Sequence, residues 1–148
     1  MEKSEQIMVG ITDFNHKLLL SRKPIMERVL SGFSLSEISL IEYIASYPET
    51  NVTQIAAALY MTRGAISKLT KKLESRGILN SYQKNDNKKE IHFTLTVAGQ
   101  EVEDRHRKLH QTFISNDKPV FQSFSDEELD IVIRFLNCYN QHLDQELK

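Results

Sequence analysis

Apolar residues recur at intervals of three and four along most of the chain, which is the spacing of one face of an α-helix. The first such stripe consists of Ile7, Ile11, Phe14 and Leu18. It can continue to Val29, although Pro24 is expected to kink or interrupt the helix because proline lacks a backbone N–H. Gly32 is expected to end this first stretch.

Two shorter helices are predicted next. The second helix begins at an N-cap, either Ser34 or Ser36, and ends at the turn of residues 47–49. Its predicted inner face consists of Ile38, Ile41, Ile44 and Ala45. The third is a compact helix at residues 53–59, with Ile55, Ala56 and Leu59 on one side.

A fourth helix follows after a brief turn at residues 60–61. Thr62 is its predicted N-cap, and it runs to about Arg76 and stops at Gly77. Its predicted buried stripe is Ile66, Leu69 and Leu73. The opposite side carries most of the basic residues of this segment.

The period changes from that of a helix to that of a strand after Gly77. Residues 78–82 and 90–95 are predicted strands, and residues 83–89 form the polar tip of a hairpin between them. In the second strand, inward Ile91, Phe93 and Leu95 alternate with Glu90, His92 and Thr94.

Two further helices complete the pattern. Thr96 is expected to cap the fifth helix, and residues 116–119 to break or bend it. Its predicted stripe is Ala98, Val102, Leu109 and Phe113. Ser125 and Glu128 form a capping box for the sixth helix. The stripe of that helix is Leu129, Val132, Phe135 or Leu136, Tyr139 and Leu143.

This order of elements predicts a fold class. Two short helices joined by a tight turn, the second of them basic, indicate a helix-turn-helix, and the hairpin after the basic helix reads as a wing. We therefore expect a mainly α (α+β) fold, a winged helix-turn-helix with additional helices at both ends.

Charge separates the middle of the chain from its flanks. Residues 52–96 hold eight cations and three anions, a local charge of +5, whereas the whole chain has a net charge of −1. A basic middle between acidic flanks favours a nucleic-acid partner. An ordinary solvated, lysine-rich surface is the alternative interpretation.

Composition bears on where in the cell the protein is expected. No apolar run approaches the ~20 residues of a membrane span, and the first residues do not resemble a signal peptide. One cysteine, Cys138, permits no internal disulfide. We expect a cytoplasmic protein with no membrane partner.

The fourth helix is the expected reader of double-stranded DNA. Gly64 and Ala65 permit close approach to the major groove, where Arg63 can read guanine or bind phosphate. Ser67 and Lys68 are expected in mid-groove, and Lys71 and Lys72 at phosphates. The complete set of predicted DNA-binding residues is Thr53, Gln54, Thr62, Arg63, Gly64, Ala65, Ser67, Lys68, Lys71, Lys72, Lys84, Asn85, Asn87, Lys88 and Lys89.

The stretch from Leu35 to Gly99 resembles the MarR family of winged-helix transcription regulators. The family pattern has small residues at the helix start, an aliphatic residue, Ser or Thr, a basic residue, Leu or Ile, and then Leu-Glu-x-x-Gly followed by two aliphatic residues. The matching positions are Ile66, Ser67, Lys68, Leu69, Leu73, Glu74, Gly77, Ile78 and Leu79. Leu95-Thr96 with Gly99 matches the Leu-Thr-x-x-Gly that opens the fifth helix.

The resemblance implies one MarR-type domain over residues 1–148, with a DNA-binding lobe at residues 34–96. It implies a homodimer built from helical regions 5–30 and 97–147, a roughly palindromic operator and, usually, repression. Members commonly carry Asp-x-Arg at the wing tip, where this chain has Asn87-Lys88-Lys89. Because lysine lacks the planar fork of arginine, we expect a less directional minor-groove contact.

The sequence leaves open which signal controls DNA binding. No cofactor is required, and a small organic effector is one possibility. Zinc is another, because His106 and His110 are spaced i, i+4 and resemble in position the paired histidines of zinc-sensing relatives. However, the second-helix ligand positions of those relatives fall at Leu40 and Ile41, which cannot bind metal. Cys138 is expected to be buried or at the dimer interface rather than to act as a redox sensor.

Two other classes of protein compete with this interpretation. An enzyme is disfavoured, since the chain has no Gly-rich phosphate loop, no complete metal motif and no local Ser, His and acid set. A helical interaction module that binds a protein partner through its basic surface is the second alternative. We expect a non-enzymatic, DNA-binding regulator.

Overall fold

The structure is a computed structural model that describes residues 1–147. Within that range it contains α1 (Lys3–Val29), α2 (Leu35–Ser46), α3 (Val52–Leu59), α4 (Arg63–Ser75), β1 (Leu79–Lys84), β2 (Asn87–Leu95), α5 (Val97–Gln122) and α6 (Asp126–Glu146). β1 and β2 pair antiparallel as a two-stranded sheet. The predicted mainly α winged helix-turn-helix is confirmed.

The chain divides into two compact units, Met1–Leu109 and His110–Lys148. The first unit contains α1 to β2 and the beginning of α5. The second contains the rest of α5 and all of α6. None of the helices in residues 1–147 combines the length and the apolar character needed to cross a bilayer.

Side-chain caps fix where the helices begin. Of the two serines expected before α2, Ser34 is the cap: its hydroxyl accepts the Glu37 amide at 3.1 Å, and the Glu37 carboxylate accepts the Ser34 amide at 3.0 Å. The predicted capping box of Ser125 and Glu128 is present at α6. Thr62 caps α4, as predicted, by accepting the Ala65 amide at 3.1 Å.

Of the kink or break expected at each proline, the break is wrong. Pro24 lies inside the continuous helix α1, and Pro119 lies inside α5, which runs on to Gln122. Both prolines are exposed, so water can reach the carbonyl that loses its amide partner. Each proline removes one hydrogen bond from a helix of 26 or 27 residues, and the neighbouring turns keep theirs.

The core of the first unit lies among α2, α3, α4 and the hairpin. Its fully buried side chains are Leu30, Leu40, Ile41, Ile55, Ile66, Leu73 and Leu79. The predicted stripe of α2 is confirmed at Ile38, Ile41 and Ile44. On α4 the stripe differs by one position, since Thr70 is buried while Leu69 is only partly buried. The Thr70 hydroxyl donates to the Ser67 carbonyl at 3.0 Å, so its polar atom is satisfied.

The hairpin departs from the predicted alternation. Phe93 is buried as expected, but Ile91 is 42% exposed and His92 is only 4% exposed. The register changes from Tyr82 opposite His92 to Lys84 opposite Asn87. His92 and Phe93 lie in the regular part of the ladder and face opposite sides, and His92 is buried because Glu49 and Asn51 contact its side of the hairpin.

The wing tip is also shorter than predicted. The turn consists of two residues, 85–86, rather than the whole segment 83–89. Lys88 and Lys89 therefore lie in β2 and not at the tip. Strand pairing reaches Asn87, because residues 84 and 87 are already opposite each other.

In the second unit, α6 has no buried residue. Its most exposed large apolar side chains are Ile131, Val132, Ile133 and Leu136. Cys138 is exposed as well, so of its two expected places the protomer interior is wrong, and the dimer interface stays a prediction. Of the predicted α6 stripe, Val132 and Leu136 are exposed in the single chain, whereas Leu129, Phe135 and Tyr139 are half-buried.

The junction between the hairpin and α5 is unusually close. The Thr96 hydroxyl accepts the Gly99 amide at 3.1 Å, as a helix cap, and donates to the Gly77 carbonyl at 2.6 Å. A Cβ atom at Gly99 would lie 2.3 Å from the Ile78 carbonyl oxygen. Only glycine permits this approach between the first turn of α5 and the backbone before β1.

We expect Gly99→Ala to lower the free energy of unfolding by about 1–3 kcal/mol, because the backbone must shift to accept the methyl group. Gly64→Ala is the matched control, since a Cβ at Gly64 in α4 meets nothing within 4 Å. That change is expected to stabilise by about 0.5–1 kcal/mol through helix propensity. Urea unfolding of both variants measures the difference, and equal effects would contradict the close contact.

Candidate nucleic-acid interface

The turn between α3 and α4 positions the N-terminus of α4. Tyr60 caps the end of α3 in the left-handed conformation, with φ of 54°, and the Met61 amide donates to the Ala56 carbonyl at 3.0 Å. Thr62 then begins α4. This tight connection holds the two helices in the arrangement that a helix-turn-helix requires.

The two sides of α4 have opposite character. Ile66 and Leu73 are fully buried, whereas Arg63, Lys68 and Lys71 are exposed. Because the buried pair fixes the rotation of the helix, the three cations project from the side that the core leaves open. No ion pair within residues 1–147 engages these three side chains, so their charge is available to an anionic partner.

A cleft of about 390 Å³ separates the start of α4 from β2. It is lined by Asn51, Val52, Thr53, Arg63, Gly64, Ser67, Lys89, Glu90 and Ile91. The structure thus brings together five of the predicted DNA-binding residues: Thr53, Arg63, Gly64, Ser67 and Lys89. Glu90 is an acidic member that the sequence interpretation did not include.

Side-chain hydrogen bonds order the backbone of the wing beside this cleft. The Asn87 side-chain oxygen accepts the Lys89 amide at 3.0 Å, and the Gln83 side-chain amide donates to the Lys88 carbonyl at 2.9 Å. Asn85, Lys88 and Lys89 are exposed. The wing therefore presents two adjacent lysines from a defined strand end.

Two predicted residues have other partners. The Gln54 side-chain oxygen accepts the Asn51 amide at 3.1 Å and belongs to the capping box of α3. The Lys84 ammonium lies 3.4 Å from the Glu49 carboxylate. The spacing of Asn51 and Gln54 is a capping-box signal, so the role of Gln54 was readable from the sequence.

Lys72 is likewise engaged, in an ion cluster at the end of α4. Its ammonium lies 3.8 Å from the Glu37 carboxylate, which also accepts the Arg76 guanidinium at 3.3 Å. Glu37 is 2% exposed, and the Arg76 guanidinium lies 4.4 Å from the centroid of the Phe33 ring. This cluster anchors the last turn of α4 to the first turn of α2.

The surroundings of Glu37 favour its ionised form. Burial acts to raise the pKa of its carboxyl, but hydrogen bonds from the Ser34 backbone and side chain and the positive charges of Lys72 and Arg76 outweigh burial. The net result is a pKa below the ordinary value of 4.5. Glu37 therefore remains a buried anion across the neutral range.

Each of the two histidines considered for zinc contacts another side chain of α5. His106 is buried, and its Nδ1 lies 3.6 Å from the Glu103 carboxylate. His110 is exposed and meets the Phe113 ring edge to face. Among residues 1–147, no group of three or more His, Cys, Asp or Glu side chains could hold a metal ion.

Comparison with known proteins identifies relatives of this arrangement. Residues 33–91 match the model of the MarR family. The HTH-type transcriptional regulator PchR of Bacillus subtilis is 33% identical over 113 residues, which cover 76% of this chain and 67% of that protein.

Solved structures share the fold. Streptococcus pneumoniae FabT, crystallised in complex with DNA, superposes with a TM-score of 0.82 at 19% identity, covering 99% of this chain and 100% of that chain. The adhesin competence repressor AdcR of Streptococcus pyogenes gives a TM-score of 0.76 at 18% identity, covering 92% and 96%. At such identities the likeness is one of fold.

The ionised Glu37 carboxylate is expected to make stability depend on pH. Because its pKa is lowered in the folded state, its contribution is complete above about pH 5 and is lost as the pH falls through the folded-state value. Glu37→Gln keeps a side chain that can cap α2 but removes the charge. We expect this variant to lose about 1–3 kcal/mol at pH 7 and less additional stability than the wild type on acidification.

Urea unfolding at pH 7, 5 and 4 measures both effects. Glu42→Gln, at an exposed position of the same helix, is the control and should follow the wild type. If Glu37→Gln and the wild type lose stability in parallel between pH 5 and 4, the carboxylate does not have the stabilising role assigned to it.

Proposed function

This chain belongs to the MarR family and is a DNA-binding transcription regulator, and we propose that it acts as a homodimeric repressor on a palindromic operator. The observation that carries the proposal is the cleft between α4 and β2, where Arg63, Gly64, Ser67 and Lys89 converge. Cations on both walls of an open groove suit a phosphate backbone, and a small residue at the helix start suits close approach to base edges.

In this proposal α4 lies in the major groove. Arg63 and Ser67, on the wall of the cleft, contact base edges, and Lys68 lies beside them. Lys71, one turn further along, binds phosphate. Gly64 supports this orientation because its outward side is open, with nothing within 4 Å of a Cβ built there. Lys72 contributes less than Lys71, since it is paired with Glu37.

The wing binds the adjacent backbone in the same proposal. Lys88 and Lys89 project from β2 rather than from the two-residue turn, and Asn87 holds the Lys89 amide. A lysine ammonium is a point charge without a planar fork. The wing therefore supplies affinity for phosphate more than discrimination between bases.

Dimerisation is proposed through the terminal helical regions, residues 5–30 and 97–147. In support, α1 and α6 have no buried residues within the single chain, and both expose large apolar side chains. Two-fold symmetry would place two copies of α4 in successive major grooves, ~34 Å apart. Such spacing corresponds to a palindromic operator.

We further propose a cytoplasmic location and a small organic effector as the modulating signal. The single cysteine agrees with a reducing compartment. An organic effector is preferred over zinc because two histidines alone do not complete a tetrahedral zinc site.

The orientation proposed for α4 predicts different effects along the helix. Arg63→Ala is expected to cost about 1–3 kcal/mol of binding free energy and to relax base preference at one operator position. Lys71→Ala should weaken binding to all sequences alike and reduce the slope of log affinity against log salt by about one for each phosphate that is no longer neutralised. Fluorescence anisotropy on a duplex selected from a random library measures both.

Lys72→Ala is the matched control for Lys71→Ala, since the two lysines are adjacent and only Lys72 is held by Glu37. Its effect on affinity should be clearly smaller. Equal decreases in affinity for the two lysine variants, or an unchanged affinity for Arg63→Ala, would contradict the proposed orientation of α4.

The dimer proposal predicts that charge on the apolar stripe of α6 separates the subunits. Val132→Glu combined with Leu136→Glu should convert a particle of twice the monomer mass into a monomer, because carboxylates cannot be buried unpaired in an apolar contact. Light scattering after size exclusion measures the mass. Asn137→Glu, off the stripe on the same helix, should stay dimeric, and a wild-type monomer at micromolar concentration would contradict the proposal.

A further inference from the structure

A second cleft, of about 470 Å³, lies behind the DNA-facing one. It is bounded by the end of α2, the start of α3 and the base of the wing. The titratable and charged side chains that line it are Tyr43, Tyr47, Glu49, Lys84, Glu90 and His92. Glu90 is shared, because it also lines the cleft beside Arg63 and Lys89.

His92 is held rigidly at the wall of this second cleft. Its ring is 4% exposed and stacks on Tyr82 with centroids 5.4 Å apart. Its backbone pairs with Asn51 in an isolated antiparallel bridge. His92 Nδ1 lies 2.6 Å from the Glu49 carbonyl oxygen, so this nitrogen carries a hydrogen and donates it.

The nitrogen that can still take up a proton is therefore Nε2. His92 Nε2 is buried and has no hydrogen-bond partner within the described residues 1–147. The Glu90 carboxylate lies 3.7 Å from it. In the neutral imidazole, Nε2 is a lone-pair acceptor, and two acceptors face each other without a hydrogen between them. A proton on Nε2 converts this repulsive contact into an ion pair.

The other groups around the ring do not supply that proton or cancel the charge of Glu90. From the loop after α2, the Glu49 carboxylate is paired with Lys84 of β1 at 3.4 Å. The other titratable neighbours are phenols, neither carboxylates nor ammonium groups: Tyr43 on α2, Tyr47 just after it and Tyr82 on β1. Among the charges that face His92, Glu90 is therefore the one that a protonated ring would balance.

We propose that His92 and Glu90 form a proton-binding site that couples DNA binding to proton uptake. The proposal rests on the proposed function, because Glu90 faces the groove in which the DNA backbone would lie. An approaching phosphate repels the Glu90 carboxylate, and a proton on His92 offsets that repulsion. DNA binding and His92 protonation then stabilise each other reciprocally.

The direction of the coupling follows from the charges. Because a proton is taken up when DNA binds, the affinity for DNA rises as the pH falls. One proton per site limits the change to tenfold per pH unit per subunit, and we expect a gain of about three- to tenfold between pH 8 and pH 6.

The test compares four proteins at pH 6, 7 and 8 and constant ionic strength, by fluorescence anisotropy on one operator duplex. The wild type should gain affinity as the pH falls. His92→Gln should lose that dependence, and Glu90→Gln should bind more tightly at pH 8 and also be flat. His142→Gln, an exposed histidine of α6 paired with Glu146, is the matched control and should behave as the wild type.

Calorimetry in buffers of different ionisation enthalpy adds a direct count of protons taken up by wild type and His92→Gln. Circular dichroism at each pH verifies folding. If His92→Gln is unfolded, the pH dependence of DNA affinity is compared between Glu90→Gln and the wild type. Pronounced pH dependence that survives in both variants, or pH-independent binding by the wild type, overturns the proton site alone. No DNA binding at any pH overturns the proposed function together with it.

Discussion

The burial of Ile66 and Leu73 in a core shared with α2, α3 and β1 fixes the rotation of α4 about its own axis. With those two side chains inward, Arg63, Lys68 and Lys71 have only the outer side available. A rotation by one residue would carry apolar groups into water and lysine stems into the core, at a cost of several kcal/mol. The basic outer surface of α4 is in this sense a consequence of how the helix packs.

Contacts at both ends of α4 fix its position further. Thr62 fixes the first turn by a cap, and the buried Glu37 carboxylate holds Lys72 and Arg76 at the last turn. Basic residues of one helix consequently divide into two kinds: those that stabilise the lobe and those that remain free for a ligand. Formal charge along the sequence does not distinguish them, because the acid that engages Lys72 lies in a different helix, far earlier in the chain.

Local signals in the sequence predicted the fold well. The caps at Thr62 and Ser125 and the change of period after Gly77 are short-range features, and α4, α6 and the hairpin follow from them. Errors arose where a distant contact or solvent access decides the outcome. Exposed Pro24 and Pro119 do not interrupt their helices, and Glu49 and Asn51 cover the side of the hairpin on which His92 lies. The cleft of α4 and β2 joins residues that are far apart in sequence, which periodicity alone cannot bring together.

The Thr96 hydroxyl has a mechanical consequence for the lobe. This single oxygen lies within hydrogen-bond distance of the Gly77 carbonyl, just after α4, and of the Gly99 amide in the first turn of α5. Because Gly99 has no side chain, the first turn of α5 lies directly against the Ile78 carbonyl. A displacement of the first turn of α5 can therefore reach the backbone just after α4 directly, through the two hydrogen bonds of one hydroxyl group.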